Sequence, residues 1–416
     1  MPDVLTARKH KIQLIGYDVE QDIKQRRFIA NLTAAEAEML QEILFSPLRI
    51  SLKKLMRSLD QPAGQLLDQI HRLQKIGLLD FDGNDTLVVH KEMRRSFELL
   101  IERLAPHFKP DIEFVQKIIK HIPVALLFTW YLIPRTSNNI FESLIEKYLC
   151  TPTIYARHLE DLKTYDPVVC ALLERLGQGR VRASDLALQL GIEGWRCNEI
   201  VLFLEFHFAA FFTYERVGDA WIEWISPLHE WHEYLSLIAK RRPPAIESEK
   251  SIVPRTSSEF AWIEAHGADR LAALGADASM IAHWNKGSNE QKVLFLYRYP
   301  GNHLAYRETW PAYVKNDKAL RSIEPALRYV AHGKWVFLSD FLQTIMTPIT
   351  NEAAVTLKKE GAHWHYVLPT YSDTELAFVQ ACIEEWFFEL GMVMLGSFDG
   401  RVCFRVTTFG QRFFEE

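Results

Sequence analysis

A mainly α fold, assembled from repeated helix-turn-helix and hairpin units on helical connectors, is what the sequence predicts. Three observations predict it. Residues 51–95 carry two helical segments and then two strand-like runs, the same order returns near residues 165 and 326, and the stretches between are apolar at helical spacing. Helix, turn, helix, hairpin is the winged-helix order, a variant of the helix-turn-helix reader of DNA. The fold class therefore reads as tandem winged-helix domains with helical connectors and small β-hairpin wings.

The first unit has the fullest pattern. Asp60 is a good N-cap with Pro62 in the turn behind it, and Leu66, Ile70, Leu73 and Gly77 fall at i, i+4, i+7 and i+11 on one helix face. Gln65, Gln69, Arg72 and Lys75 take the opposite face. Residues 78–81 and 86–89 are strand-like runs joined by Asp82, Gly83, Asn84 and Asp85, residue types that tolerate the positive φ of a tight hairpin. Upstream, Thr33 and Glu36 form a capping-box pattern, with Ala37, Leu40 and Leu44 continuing the apolar side of that helix.

Composition sets the limits. A chain of 416 residues is long for one core, and domain-size arguments give roughly two to four units. Hydrophobic residues at 48% and charged ones at 24% are those of a folded chain without polar low-complexity tracts. The net charge of -5 argues against a nucleic-acid binder that uses its whole surface, and leaves room for a local basic patch. The five cysteines, Cys150, Cys170, Cys197, Cys382 and Cys403, form no Cys-x-x-Cys pair and read as buried thiols of a reducing cytosol. No N-terminal apolar core of signal-peptide length and no apolar run of about 18 residues is present, so a soluble cytoplasmic protein without membrane contact is expected.

In chain order, residues 1–30 mix basic and apolar types (Arg8, Lys9, Lys11, Lys24, Arg26, Arg27) and read as a strand or hairpin, or as a solvated arm, ahead of a first domain over 1–105. Pro106 and Pro110 open a helical connector over 106–164, in which 125–133 (ALLFTWYLI) is apolar all round, too short to span a bilayer, and expected as a buried helix. A second winged domain is expected over 165–239; its third helix, with Arg196, Glu199 and Glu205 among aromatics, is a poor phosphate binder. Residues 240–258 (KRRPPAIESEKSIVPRTSS) have linker composition, and Lys240, Arg241 and Arg242 read as a solvated hinge. A helical region over 259–325 precedes a third winged-helix-like domain over 326–416, with an insertion at 347–372 that holds Lys358, Lys359, His363 and His365. Its last hairpin alternates through Val393 and Leu395, then Val402, Phe404 and Val406, and Gly410 opens a closing helix. The helix ahead of that hairpin has Glu375, Glu384, Glu385 and Glu389 with no Lys or Arg, so it would meet phosphates with like charge.

YLCTPTIYARHLEDLKTYDPVVCALLERL, HGKWVFLSDFL and ELGMVMLGSFDGRVCFRVTTFGQRF together resemble the helicase-associated winged-helix regions of bacterial proteins similar to the N-terminal part of the xeroderma-pigmentosum-type DNA repair helicases. The resemblance spans about two thirds of the chain and implies a DNA-associated accessory region. A motor is not implied, because no Gly-x-x-x-x-Gly-Lys-Ser/Thr loop is present.

Catalytic and metal signals fail on spacing. His229, Glu230, His232 and Glu233 miss the i, i+4 pair of a zinc protease helix and read as helix surface; His363 and His365 flank Trp364 on one face of a strand without a third ligand. Gly177 and Gly179 read as a turn between helices, since no strand precedes them. Eleven tryptophans read first as core, then as protein interface, then as base-stacking platforms. No cofactor is expected. The expected function is a non-enzymatic DNA-associated protein in which Lys53, Lys54, Arg57, Gln65, Gln69, Arg72, Lys75, Lys91, Arg94 and Arg95 contact duplex DNA, Gln69 and Arg72 reaching base edges. The alternative is a scaffold that docks a protein partner, such as a helicase or another DNA-processing factor, without touching nucleic acid.

Overall fold

The computed structural model describes residues 14–415 apart from 60–62, 83–84, 135–138, 303, 305–309, 312–316, 331, 348, 350–354 and 362. Helix occupies 58% of the described residues and strand 15%, all in small antiparallel sheets, so the chain is mainly α. It divides into two compact units, one running through residue 235 and including Leu357–His365, the other formed by 236–356 and 366 onward.

In the first unit, α1 (Val19–Ala30) replaces the strand, hairpin or arm expected there, while Arg8, Lys9 and Lys11 lie outside the described residues. Asp18 caps it, accepting from the Gln21 amide at 3.0 Å, and Ile23, Gln25, Arg26 and Ile29 turn inward. The alternation of charge misleads here because Arg26 is buried. Next comes α2 (Ala34–Phe45), with the predicted capping box of Thr33 and Glu36 in place. β1 (Arg49–Ser51), α3 (Leu52–Leu59), α4 (Ala63–Lys75), β2 (Leu79–Asp82) and β3 (Thr86–Val89) follow, in a sheet ordered β1-β3-β2. Leu66, Ile70 and Leu73 are at most 1% exposed, as their spacing requires. The predicted cap Asp60, Pro62 and the turn residues Gly83 and Asn84 lie outside the described residues.

α5 (Lys91–Glu102) ends before Pro106, and α6 (Ile112–His121) and α7 (Val124–Tyr131) begin the connector. α7 is not buried all round: Leu127, Trp130 and Tyr131 face inward while Val124 and, just past the helix, Leu132 are 57% and 67% exposed. Eight residues make two turns, enough to bury one stripe and no more. α8 (Ile140–Leu144) runs into a π-turn, and α9 (Pro152–Lys163) leads to α10 (Pro167–Leu176), β4 (Val181–Arg182), α11 (Ala183–Leu190), α12 (Gly194–Phe206), β5 (Ala210–Val217) and β6 (Ala220–Pro227), with the sheet ordered β4-β6-β5. The unit ends within α13 (His229–Lys240).

Two contacts tie this unit together that its sequence pattern hides. Glu205 on α12 is 2% exposed and receives Arg26 at 2.9 and 3.0 Å and Arg103 at 2.8 Å, while Arg26 also reaches Asp22 at 2.8 Å. Burial alone would raise the Glu205 carboxyl, but the Arg103 and Arg26 guanidinia outweigh it and lower it to about 2. At the tip of the β5–β6 hairpin, the Asp219 carbonyl and carboxylate both accept from the Ala34 amide, at 3.2 and 3.1 Å, so this hairpin caps α2.

In the second unit residues 240–258 are mostly exposed, Lys240 and Arg242 among them, but the segment is anchored at Ile246 and Ile252. Ile246 and Ile252 are each 8% exposed, the Ile246 amide donates to Trp335 at 2.8 Å, and both pack with Trp335, Met394 and Cys403. β7 (Val253–Pro254) adds an edge strand, a place where proline costs no ladder bond. The helical region is α14 (Ala261–Ala273), α15 (Ala278–Asn285), α16 (Asn289–Arg298) and α17 (Asp317–Leu327). β8 (Val336–Phe337), α18 (Leu338–Thr344), the inserted hairpin β9 (Thr356–Glu360) and β10 (His363–Val367), most of which belongs to the first unit, α19 (Asp373–Ala381) with a π-turn, β11 (Val393–Phe398), β12 (Arg401–Val406) and α20 (Thr408–Glu415) complete the chain. The sheet runs β7-β11-β12-β8.

Gly410 lies inside α20, not at its start, and a Cβ there would sit 2.0 Å from the Met392 carbonyl oxygen. Gly410→Ala is therefore expected to cost about 1–3 kcal/mol by overpacking, whereas Gly194→Ala, with open space around it, should change stability by less than about 0.5 kcal/mol. Urea midpoints of the two variants check this. Equal midpoints would contradict the packing described for α20.

Candidate nucleic-acid interface

Cations expected to face DNA come from α3, α4 and the start of α5. On α3 only Leu55 is fully buried, and Lys53, Lys54 and Arg57 are exposed with no ion pair to a described residue. The helix is fixed by its ends: β1 runs straight into it, and the Leu52 amide donates to Asp85 at the hairpin turn, 2.8 Å. Arg49 in β1, 73% exposed and 3.6 Å from Asp82, joins this group. Sequence reading missed Arg49, although its place four residues before Lys53 was a usable signal. The β1–α3 cations thus stand beside the turn of the first hairpin.

α4 buries the expected face, Leu66, Ile70 and Leu73, and exposes Arg72 and Lys75 as expected. Its exposed stripe is Gly64, Asp68, His71, Arg72 and Lys75, and the Gln65 side chain lies outside the described residues. Gln69 turns inward, its Oε1 buried without a hydrogen-bond partner among the described residues. Arg72 is committed within the fold: it pairs with Glu36, the same carboxylate that caps α2, and its guanidinium lies 5.5 Å over the Phe28 ring. The reason is proximity to α1 and α2, which a helix read alone does not reveal. Arg72 stays about half exposed while paired, and Gln69 is half-buried, so a base-edge contact by either would require it to leave its present position.

On α5, Lys91 and Arg95 are exposed, the latter 3.8 Å from Glu92. Arg94 is structural, donating to Glu98 at 2.8 Å and to the Ser46 carbonyl at 2.9 Å. The cations left to meet a ligand are Arg49, Lys53, Lys54, Arg57, Lys75, Lys91 and Arg95. Asp68, Asp82 and Asp85 lie among them and set a limit on anion affinity.

The two later repeats offer less. α12 buries Cys197, Asn198 and all of 200–206, and its Arg196 is held by Asp166 at 2.9 Å and by Glu199. Glu375 caps α19, and the π-turn after it buries Cys382, Ile383, Trp386 and Phe387. Arg401 and Arg405 on β12 stack over Phe337 and Trp335, at 3.7 and 5.4 Å.

Catalytic and metal expectations meet one correction. Glu230 does not lie on a helix surface: it is 2% exposed, accepts from the Ile112 amide at 2.9 Å, and burial, assisted by Asp111 and Glu233, raises its carboxyl to about 8. His229 meets Glu233 at 3.0 Å, and His365 meets Glu360 at 3.6 Å. Among the described residues no three His, Cys, Asp or Glu side chains could hold a metal ion. All five cysteines are free, with Cys150 and Cys170 only half-buried, and burial pushes the Cys197 thiol up to about 12. Trp130, Trp284, Trp335 and Trp386 fill cores. No helix among the described residues is long and apolar enough to cross a membrane.

Comparison of the chain with protein-family models, with curated proteins and with solved structures finds no match. The resemblance to helicase-associated regions rests on the quoted residues alone.

Proposed function

We propose that the chain is a non-enzymatic, DNA-associated protein built from three winged-helix units, of which the first meets the phosphate backbone of duplex DNA. The winged-helix reading is supported by a repeated topology: in each repeat the short strand before the second helix pairs with the later strand of the hairpin, giving β1-β3-β2, β4-β6-β5 and β8-β12-β11. The observation that carries the DNA reading is the exposed group Lys53, Lys54 and Arg57 beside the first hairpin, without carboxylate partners among the described residues. Because Arg72 is paired with Glu36 and Gln69 is half-buried, the reading assigns the contacts to phosphates, with binding largely independent of sequence.

The test is duplex binding by Lys53→Ala/Lys54→Ala/Arg57→Ala against Arg72→Ala. The triple variant is expected to bind at least about 10-fold more weakly at low salt with unchanged stability. Arg72→Ala should bind normally but lose about 1 kcal/mol of stability. Reversed results would return the contact to α4. A second reading, a scaffold for a protein partner, is favoured by Leu188 and Trp195 at the α11–α12 corner, 84% and 36% exposed.

A further inference from the structure

We infer that a groove in the first unit, distinct from the β1–α3 cations, binds single-stranded nucleic acid. The groove encloses about 900 Å³ between α2, the 104–110 loop, the β5–β6 hairpin and the start of α13. Three half-buried rings line it, Phe108, Tyr214 and Trp221, together with Lys109, Arg180 and Arg216. Rings among cations are what an unpaired strand needs, since every base has a face to stack and every nucleotide a phosphate to neutralise.

Charge in the groove favours an anion. Its carboxylates are Glu38 and Glu215, against the cations Lys109, Arg180 and Arg216. Arg180 pairs with Glu215 at 2.7 Å and Arg216 approaches Glu38 at 3.9 Å, with all four side chains about half exposed or more. Exposed pairs hold little energy, so a phosphate can take either guanidinium. Arg180 is already oriented, 4.2 Å over the Trp224 ring, and Lys109 meets the His229 ring nitrogen at 3.2 Å and no carboxylate among the described residues. Trp221 Nε1 and His232 Nδ1 are buried without hydrogen-bond partners among the described residues, leaving polar capacity in the groove wall unmet. The volume suits one or two nucleotides and is far too small for a duplex.

The experiment is fluorescence anisotropy of the full chain on labelled oligo(dT) across a salt series. With three phosphates neutralised, affinity should fall about 20-fold between about 50 and 200 mM salt. Lys109→Ala/Arg180→Ala/Arg216→Ala should weaken oligo(dT) binding by about 10-fold or more with an unchanged circular dichroism spectrum. Lys53→Ala/Lys54→Ala/Arg57→Ala should leave it within about twofold, which keeps this site separable from the duplex contact. Absence of oligo(dT) binding at low salt, or its loss only in the α3 variant, overturns the assignment. Displacement of oligo(dT) by polyglutamate at equal charge also overturns it, and gives the groove to an acidic peptide.

Discussion

Glu205→Gln is expected to lower the stability of the first unit by about 3–5 kcal/mol, because it leaves the guanidinia of Arg26 and Arg103 buried without their shared anion. Glutamine keeps the volume and an acceptor, so the loss reports charge and not a cavity. Acid should do the same to the parent protein. The Glu205 carboxyl is held at about 2 in the fold against about 4.3 unfolded, so its contribution is complete above the unfolded value and disappears as pH falls through about 2. Urea unfolding of parent and variant at neutral and acid pH reads both effects. A variant as stable as the parent at pH 7 would contradict the triad.

Glu230→Gln is expected to act in the opposite direction, stabilising the fold by about 2–4 kcal/mol at pH 9 and leaving it nearly unchanged at pH 4. Here the folded pKa, about 8, lies above the unfolded one. The protonated acid favours the fold fully below the unfolded value, and that advantage is lost as pH rises through about 8. Asp111 and Glu233 add to the cost of ionisation, and the amide of Ile112 offsets part of it. Glutamine still accepts from that amide and carries no charge. Melting curves from pH 4 to pH 9 on both proteins decide it, and parallel curves would mean that Glu230 ionises freely in the fold.

Local pattern made much of the architecture legible. The capping box at Thr33 and Glu36, the buried row Leu66, Ile70 and Leu73, and the later hairpins at 210–227 and 393–406 all follow from spacing and side-chain type. What stayed hidden depends on partners distant in the chain. Glu205 could be read only as a polar position because its guanidinia come from residues 26 and 103, and Glu230 looked like helix surface because the N-terminus of α6, which meets it, is distant in the chain. Residues 240–258 have linker composition, yet Ile246 and Ile252 find a second apolar cluster beneath them. At the candidate interface the cations of α3 were readable, since nothing packs over them. Arg72 was not, because its commitment to Glu36 and Phe28 is a tertiary fact.

The most direct measurement is anisotropy of the full chain on a short labelled duplex of arbitrary sequence, titrated with salt from about 50 to about 200 mM. Contact through the β1–α3 cations predicts binding that weakens with a log–log slope of about −3 to −4, little dependence on duplex sequence, and loss in Lys53→Ala/Lys54→Ala/Arg57→Ala. No duplex binding at the lowest salt, or binding indifferent to salt and to that variant, would contradict the DNA reading and leave the Leu188 and Trp195 corner as the place to seek a protein partner.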